Sequence, residues 1–173
     1  MTEKQENILS AALTLFAEQG FAATSTNKVA KAAGVSEGLI FRHFKNKEGL
    51  LAAIFEMVTE RTKVILADVV MTNDPKEVIY KILELPFVIN PRDYRMWRLI
   101  YAMKWQIQQY NTEKMEPVKL AAKNAFEKLG YDNPEAESEL LLMLLDGAAT
   151  AILLHEPRDK EAVLLAMKEK YKH

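Results

Sequence analysis

The amino-acid sequence predicts an all-α protein of about nine helices. Apolar residues recur at the 3.6-residue spacing of an amphipathic helix along most of the 173 residues, whereas the strict alternation of a β-strand is nearly absent. Glycine and proline, six of each, stand where these periodic segments end or begin. Hydrophobic residues make up 49% and charged residues 27% of the chain, which is the balance of a packed protein rather than a disordered one.

Capping residues and helix stops give the limits of each predicted helix. Gly20, Gly34 and Gly130 follow periodic segments as C-terminal stops, and an Asn-Pro or Asp-Pro pair opens three other helices. A Ser/Thr cluster at residues 24–26 and Ser36 offer N-caps for two short helices. The predicted helices cover approximately residues 3–19, 24–34, 36–44, 47–71, 75–86, 91–110, 113–129, 134–155 and 157–173.

Composition excludes several functional classes. The absence of cysteine removes disulfides, thiolate nucleophiles and sulfur-ligated zinc, and a net charge of −1 gives no bulk attraction to nucleic acid or membranes. The longest apolar stretch, residues 140–154, is interrupted by Asp146 and is too short to span a bilayer. The N-terminus has no export signal, and no metal-ligand, P-loop or catalytic motif is present. We therefore expect a cytoplasmic protein that is not an enzyme and needs no cofactor or metal.

Residues 24–47 have the pattern of a helix-turn-helix. Gly34 permits the positive φ of a tight turn between two short helices, and small Ala30 lets the helices cross closely. The inner positions of the two helices are apolar: Val29, Ala30, Ala33, Val35, Ile40 and Phe44. In a helix-turn-helix protein the second helix enters the DNA major groove.

Charge is distributed as this interpretation requires. Between Thr24 and Lys47 there are five Lys or Arg residues against Glu37 alone, although the whole chain is near neutral. Lys47 opens a helix, where a cation opposes the helix dipole, so a phosphate held by Lys47 and the helix N-terminus would account for it. The alternative is a solvated basic face without a partner.

The segment from Gly20 to Leu51, GFAATSTNKVAKAAGVSEGLIFRHFKNKEGLL, resembles the DNA-binding domain of the TetR (tetracycline-repressor-like) transcriptional regulators. The resemblance covers roughly the first 55 residues. It rests on fixed-spacing matches at Gly20, Phe21, Thr24, Ser25, Val29, Ala30, Ala33, Gly34, Val35, Ser36, Gly38, His43, Phe44 and Lys47. It implies a DNA-binding domain over residues 1–46, joined to a helical effector-binding and dimerisation domain over residues 47–173.

The resemblance also implies roles for individual residues. The predicted DNA-binding residues are Thr24, Ser25, Thr26, Lys28, Ser36, Glu37, Gly38, Leu39, Phe41, Arg42, His43 and Lys47. Phe41 stands where the family usually has a tyrosine whose hydroxyl contacts a phosphate. Phe41 would lack that contact and would pack instead against a sugar or a thymine methyl group. Arg42 would bind guanine or a phosphate. Glu37 would either accept a hydrogen bond from the amino group of cytosine or disfavour binding to DNA sequences other than the operator.

A single helix-turn-helix reads few base pairs, so we predict a homodimer on a near-palindromic operator. The helix over residues 140–154 is apolar on nearly every face and must be covered on all sides. We predict a four-helix interface made with the last helix, containing Leu144, Gly147, Ala148, Ala151, Leu164 and Met167. The alternative is a central helix buried within one subunit.

An aromatic stripe marks the helix that begins near Pro91. The stripe is either plain core or one wall of an effector pocket. The candidate pocket residues are Phe55, Tyr80, Phe87, Tyr94, Trp97, Tyr101, Trp105, Phe126 and Met143. The resulting hypothesis is a homodimeric repressor that an unknown small molecule releases from DNA. The alternatives are a DNA-binding regulator without a small ligand and, less consistent with the motifs, an all-α enzyme.

Overall fold

The structure, a computed structural model, describes residues 1–104, 115–155 and 157–172. Over these residues it is helical and contains no strand, which confirms the predicted fold class. The α-helices are α1 (Glu3–Gln19), α2 (Thr26–Ala33), α3 (Glu37–Phe44), α4 (Lys47–Met71), α5 (Pro75–Glu84), α6 (Tyr94–Lys104), α7 (Glu116–Lys128), α8 (Pro134–Leu154) and α9 (Lys160–Glu169). A short 3₁₀ helix, Pro91–Asp93, precedes α6.

The predicted helix limits hold best where a cap fixes them. The limits of α1 and α4 are as predicted, and Ser25 rather than Thr24 or Thr26 caps α2. The last helix is shorter than predicted, because the Asp159 side chain accepts a hydrogen bond from the Ala162 amide and starts α9 there. The predicted end of the sixth helix, near residue 110, lies outside the described residues.

The described chain packs as two compact units. Unit 1 comprises Met1–Thr62 and Arg92–Gln106, and unit 2 comprises Lys63–Pro91 and Ile107–His173. The predicted division at residue 46, between a DNA-binding domain and an effector-binding domain, is not a boundary of these packing units and stays a prediction.

Unit 1 is built around α1, which packs against α2 and α6, while α2 packs against α3. Ile8, Ala12 and Phe16 of α1 are almost completely buried, as are Val29 of α2 and Ile40 of α3. Burial of each large apolar side chain stabilises the fold by about 1.5–3 kcal/mol relative to exposure. This burial fixes the orientation of the short helices α2 and α3, which would be marginal alone.

Unit 2 has its own core between α5, α7, α8 and α9. Phe126 of α7 is completely buried, with its ring centroid 4.9 Å from that of Tyr131 and 5.6 Å from that of Tyr171. Tyr171 follows α9 and is 4% exposed, so the C-terminal turn is part of this core. Burial raises the pKa of the Tyr171 phenol to about 12.

No helix among the described residues has an apolar segment long enough to cross a membrane.

Candidate nucleic-acid interface

The turn between α2 and α3 has the geometry that the sequence predicts. Gly34 adopts the left-handed conformation, with φ 66° and ψ 34°, where a residue with a Cβ atom is strained. The Val35 amide donates to the Ala30 carbonyl over 3.0 Å, which closes the end of α2. Ile40 anchors α3 from its buried face, while Val35 and Phe44 are only partly buried.

The outer face of α3 carries exposed side chains. Phe41 is 50% exposed, and Arg42 and His43 are also exposed. The Arg42 guanidinium has no hydrogen-bond or ion-pair partner within the described part of the chain. Its five N–H donors are therefore available to a ligand. Leu39 is partly buried, and Gly38 is exposed in the first turn.

Ser36 occupies the N-cap position of α3 with extended backbone, but its side chain makes no capping hydrogen bond. The predicted N-cap position of Ser36 is thus confirmed, without a capping hydrogen bond from its hydroxyl. The side chain is exposed at the start of α3, where the hydroxyl can serve as a donor or acceptor to a ligand.

Glu37 is hydrogen-bonded to the first turn of α2. Its carboxylate accepts a hydrogen bond from the Thr26 hydroxyl over 2.6 Å and another from the Asn27 amide over 3.3 Å. These two hydrogen bonds lower the pKa of Glu37, with the Thr26 hydroxyl as the larger cause. Glu37 therefore joins the first turns of α2 and α3, and the Thr26 hydroxyl proton that was assigned to a phosphate is already donated.

The structure places Thr24 in a structural role and corrects its assignment as a phosphate contact. The side chain is 2% exposed, and its hydroxyl lies 2.9 Å from the Gly20 carbonyl oxygen and 3.3 Å from that of Leu15. Gly20 is the C-cap of α1, and Leu15 lies one turn before the end of that helix. Thr24 thus anchors the start of α2 to the end of α1.

Two lysines assigned to DNA also hold the loop between α1 and α2. The Lys47 ammonium lies 2.9 Å from the Phe21 carbonyl oxygen, 3.3 Å from that of Ala22 and 4.5 Å from the Phe21 ring centroid. The Lys28 ammonium donates to Gln19 and to the Ala23 carbonyl, both over 3.2 Å. An ammonium group has three donors, so each lysine keeps one for a phosphate.

One open surface depression brings several predicted residues together. It is lined by residues 22–26, Phe41 and residues 46–48, and so joins the N-termini of α2 and α4. Ser25 caps α2 by accepting from the Lys28 amide over 3.2 Å, which leaves its hydroxyl proton available. Two helix N-termini beside a lysine form an environment suited to an anion.

Sequence reasoning missed the contact between α1 and His43. The Gln5 side-chain nitrogen lies 3.3 Å from His43 Nδ1, and Thr2 with Gln5 forms the capping box of α1. The capping box follows the S/T-x-x-E/Q pattern and could have been found in the sequence. The contact to His43, 38 residues away in the chain, had no local signal.

The predicted pocket residues fall into both units. In unit 1, Phe55 and Trp97 pack against the cluster of Val58, Met96 and Ile100, and Tyr94 and Tyr101 are partly buried. The buried face of α6 is thus aliphatic, and the predicted aromatic stripe lies beside it.

In unit 2, Tyr80 and Phe87 are partly buried, Phe126 is in the core and Met143 is 67% exposed. Phe126 and Met143 therefore do not line one enclosed cavity. Trp105 lies outside the described residues.

The predicted dimer residues do not share one outward face. Leu144, Leu164 and Met167 pack against the core of unit 2, whereas Gly147 is exposed and Ala148 and Ala151 are partly buried. The exposed large apolar side chains of α8 and α9 are different: Leu140, Met143, Leu154, Val163 and Leu165. Leu144, Leu164 and Met167 thus face the core, and a dimer interface on α8 and α9 stays a prediction. Within the described residues, no three His, Asp or Glu side chains are grouped as metal ligands.

Within the described residues, two short helices joined by a left-handed glycine, the second with an exposed and unpaired arginine, form a helix-turn-helix. The family model for bacterial regulatory proteins of the tetR family matches residues 8–54. The predicted resemblance to the TetR family is thus confirmed for residues 8–54.

The chain is also similar to named transcriptional regulators over part of its length. The chain is 40% identical over 85 residues to YerO, an HTH-type transcriptional regulator of Bacillus subtilis, covering 47% of this chain and 29% of YerO. It is 47% identical over 55 residues to the HTH-type transcriptional regulator AcrR of Shigella flexneri, covering 32% of this chain and 26% of AcrR. The matched segments thus span less than a third of either relative.

Two solved structures match nearly the whole chain. A transcriptional regulator from Aquifex aeolicus VF5 is 25% identical, with a TM-score of 0.67 and 98% of both chains covered. A TetR-like transcriptional regulator from Rhodococcus sp. RHA1 has a TM-score of 0.79 at 20% identity, covering 96% of this chain and 92% of that one. The second likeness is one of fold.

Proposed function

We propose that this protein is a sequence-specific, DNA-binding transcriptional regulator. The observation that carries the proposal is the exposed outer face of α3, where Arg42 is unpaired and Ile40 anchors the opposite face. A short helix held rigidly from one side presents its other side to base edges in the major groove. Arg42 binds guanine there, and Ser36 and Gly38 occupy the first turn beside the bases.

Phosphates are held at the depression between the N-termini of α2 and α4. Ser25 and Lys47 line it, and each retains a donor that the protein does not use. His43 contributes a further donor from the last turn of α3. Because Thr24 and Thr26 are committed within the protein, the phosphate contacts come from fewer side chains than the sequence predicts.

The regulator acts as a homodimer through α8 and α9. Leu140, Met143, Gly147 and Leu154 recur at helical spacing on the exposed side of α8. Val163 and Leu165 extend the exposed apolar surface on α9. A second copy of the chain covers this surface and positions two copies of α3 about 34 Å apart, one turn of DNA. The operator is accordingly near-palindromic.

The regulator is a repressor, and a small-molecule effector bound in the helical region after residue 46 releases it. A coupling of about 1–3 kcal/mol between effector and DNA would weaken operator binding about 5–150-fold. The close packing of Phe126 with Tyr131 and Tyr171 favours a second candidate, a DNA-binding regulator without a small ligand.

The test begins with selection of duplexes from a random pool, followed by fluorescence-anisotropy titrations of the selected site at two salt concentrations. We expect a palindromic site, bound by two chains with a steep salt dependence. Arg42→Ala should weaken specific binding by about 5–150-fold per half-site. Lys128→Ala, which removes one exposed positive charge from α7, is the matched control and should have little effect. Equal affinities of both variants would refute the assignment of α3 as the reading helix.

A further inference from the structure

The amide of Gln5 has only one orientation that satisfies its surroundings. Its Oε1 accepts the backbone N–H of Thr2 over 2.8 Å, as part of the capping box of α1. An amide nitrogen cannot accept that hydrogen bond, so the capping box determines which end of the amide is which. The Nε2 end therefore faces α3, 3.3 Å from His43 Nδ1.

This orientation determines where the imidazole proton is. Gln5 Nε2 is only a donor, so His43 Nδ1 must accept and cannot carry a hydrogen. In a neutral imidazole the proton is then on Nε2, because the partner of one ring nitrogen sets the state of the other. The His43 side chain is exposed, and Nε2 has no protein partner within the described residues.

We propose that Gln5 is a positioning residue for DNA binding, which holds His43 as the tautomer that donates from Nε2 to a phosphate. The inference rests on the proposed DNA-binding function and deepens it. It connects the first turn of α1 to the last turn of α3 through one hydrogen bond across 38 residues of sequence. An imidazole with the opposite tautomer would present a lone pair to the phosphate and repel it.

The first measurement uses the full-length protein without DNA. Two-bond ¹H–¹⁵N correlation spectra at about pH 8, where histidine side chains are ordinarily neutral, report which ring nitrogen carries the proton. We expect the Nε2–H tautomer for His43 in the wild type and a mixture of both tautomers in Gln5→Leu. An Nδ1–H tautomer in the wild type would overturn the inference, whatever the protein binds.

The second measurement is affinity for the selected duplex. Gln5→Leu should weaken binding about two- to tenfold per subunit, the range for one net hydrogen bond. Thr2→Ala is the control, because it removes the Thr2 hydroxyl from the cap while keeping the Thr2 N–H and the Gln5 amide. Thr2→Ala should bind DNA like the wild type. An equal loss in Thr2→Ala would attribute the effect to fraying of α1 and overturn the inference.

A double-mutant cycle separates tautomer control from a general structural role. A glutamine in place of His43 offers an amide N–H without any tautomer, so Gln5→Leu should have no effect on affinity in the His43→Gln background. Persistence of the full loss in that background would contradict the proposal. If the wild type selects no DNA site, the proposed function fails. The tautomer measurement still decides whether Gln5 sets the tautomer of His43.

Discussion

The buried hydroxyl of Thr24 gives a sharp test of how unit 1 is assembled. Thr24→Val keeps the shape of the side chain and removes the hydroxyl, which lies 2.9 Å from the Gly20 carbonyl oxygen and 3.3 Å from that of Leu15. The side chain is 2% exposed, so water does not readily replace the lost donor. Leaving a buried acceptor unsatisfied costs about 1–3 kcal/mol.

The predicted loss is measured by urea denaturation and by thermal melting followed by circular dichroism. For a chain of this size, 1–3 kcal/mol corresponds to a decrease in Tm of roughly 2–12 °C. DNA affinity, measured well below the melting temperature, should be unchanged because the buried Thr24 hydroxyl is donated within the protein. Ser25→Ala is the contrasting variant: it removes both the cap of α2 and a proposed phosphate donor, so it should lower stability and DNA affinity together. Unchanged stability together with weaker DNA binding in Thr24→Val would refute the reasoning and restore the phosphate role.

Three further predictions concern the Glu37 carboxylate, the exposed side of α8 and the Tyr171 phenol. Hydrogen bonds from Thr26 and the neighbouring Asn27 lower the pKa of Glu37, so its contribution to stability is complete above about pH 4.5 and is lost as the pH falls through the folded-state pKa. Glu37→Gln should abolish that part of the acid dependence, measured as urea midpoints from pH 3 to pH 6; an unchanged profile would contradict it. Met143→Glu, on the exposed side of α8, should convert dimers to monomers in analytical ultracentrifugation and weaken operator binding, whereas Asn124→Glu should do neither. Burial raises the pKa of the Tyr171 phenol to about 12, so it stabilises unit 2 below about pH 10, and this stabilisation is lost as the pH rises to 12. Spectrophotometric titration of the wild type against Tyr171→Phe should reveal one phenol that titrates late; the absence of a difference at high pH would contradict its burial.

Local signals in the sequence predicted the fold well. The limits of α1 and α4 follow from apolar periodicity and from stops that act over a single turn. Gly34 was predicted correctly because only a residue tolerant of positive φ suits the turn between α2 and α3. These features depend on residues that are adjacent in the sequence, so they can be predicted from the sequence alone.

The candidate site was predicted as a segment but not in its internal contacts. Thr24, Thr26 and Lys47 are predicted from the sequence to contact DNA, yet each donates a hydrogen bond within the protein. Their partners are carbonyl and carboxylate groups of other helices or loops. The distance to such a group depends on tertiary packing, which the spacing of residues in the sequence does not reveal. The same limit applies to the contact between Gln5 and His43.

The proposed dimer surface shows why the orientation of a helix that is apolar on nearly every side cannot be predicted from its sequence. Residues 140–154 are apolar on nearly every side, so periodicity gives no preferred face. The structure orients α8 by packing Leu141 into the core that α5 and α7 share, which leaves Leu140 and Met143 exposed. Leu144, assigned to the interface from sequence, packs towards the core instead.

The central claim is that α3 reads DNA sequence through Arg42. Its most direct test is to run the duplex selection in parallel with the wild type, Arg42→Ala and Lys128→Ala, and to compare the selected sites position by position. The account predicts a palindromic site for the wild type and Lys128→Ala, and relaxed preference at one symmetric pair of positions for Arg42→Ala. If Arg42→Ala selects the same site with the same preference at every position, another element reads the DNA and the central claim is wrong.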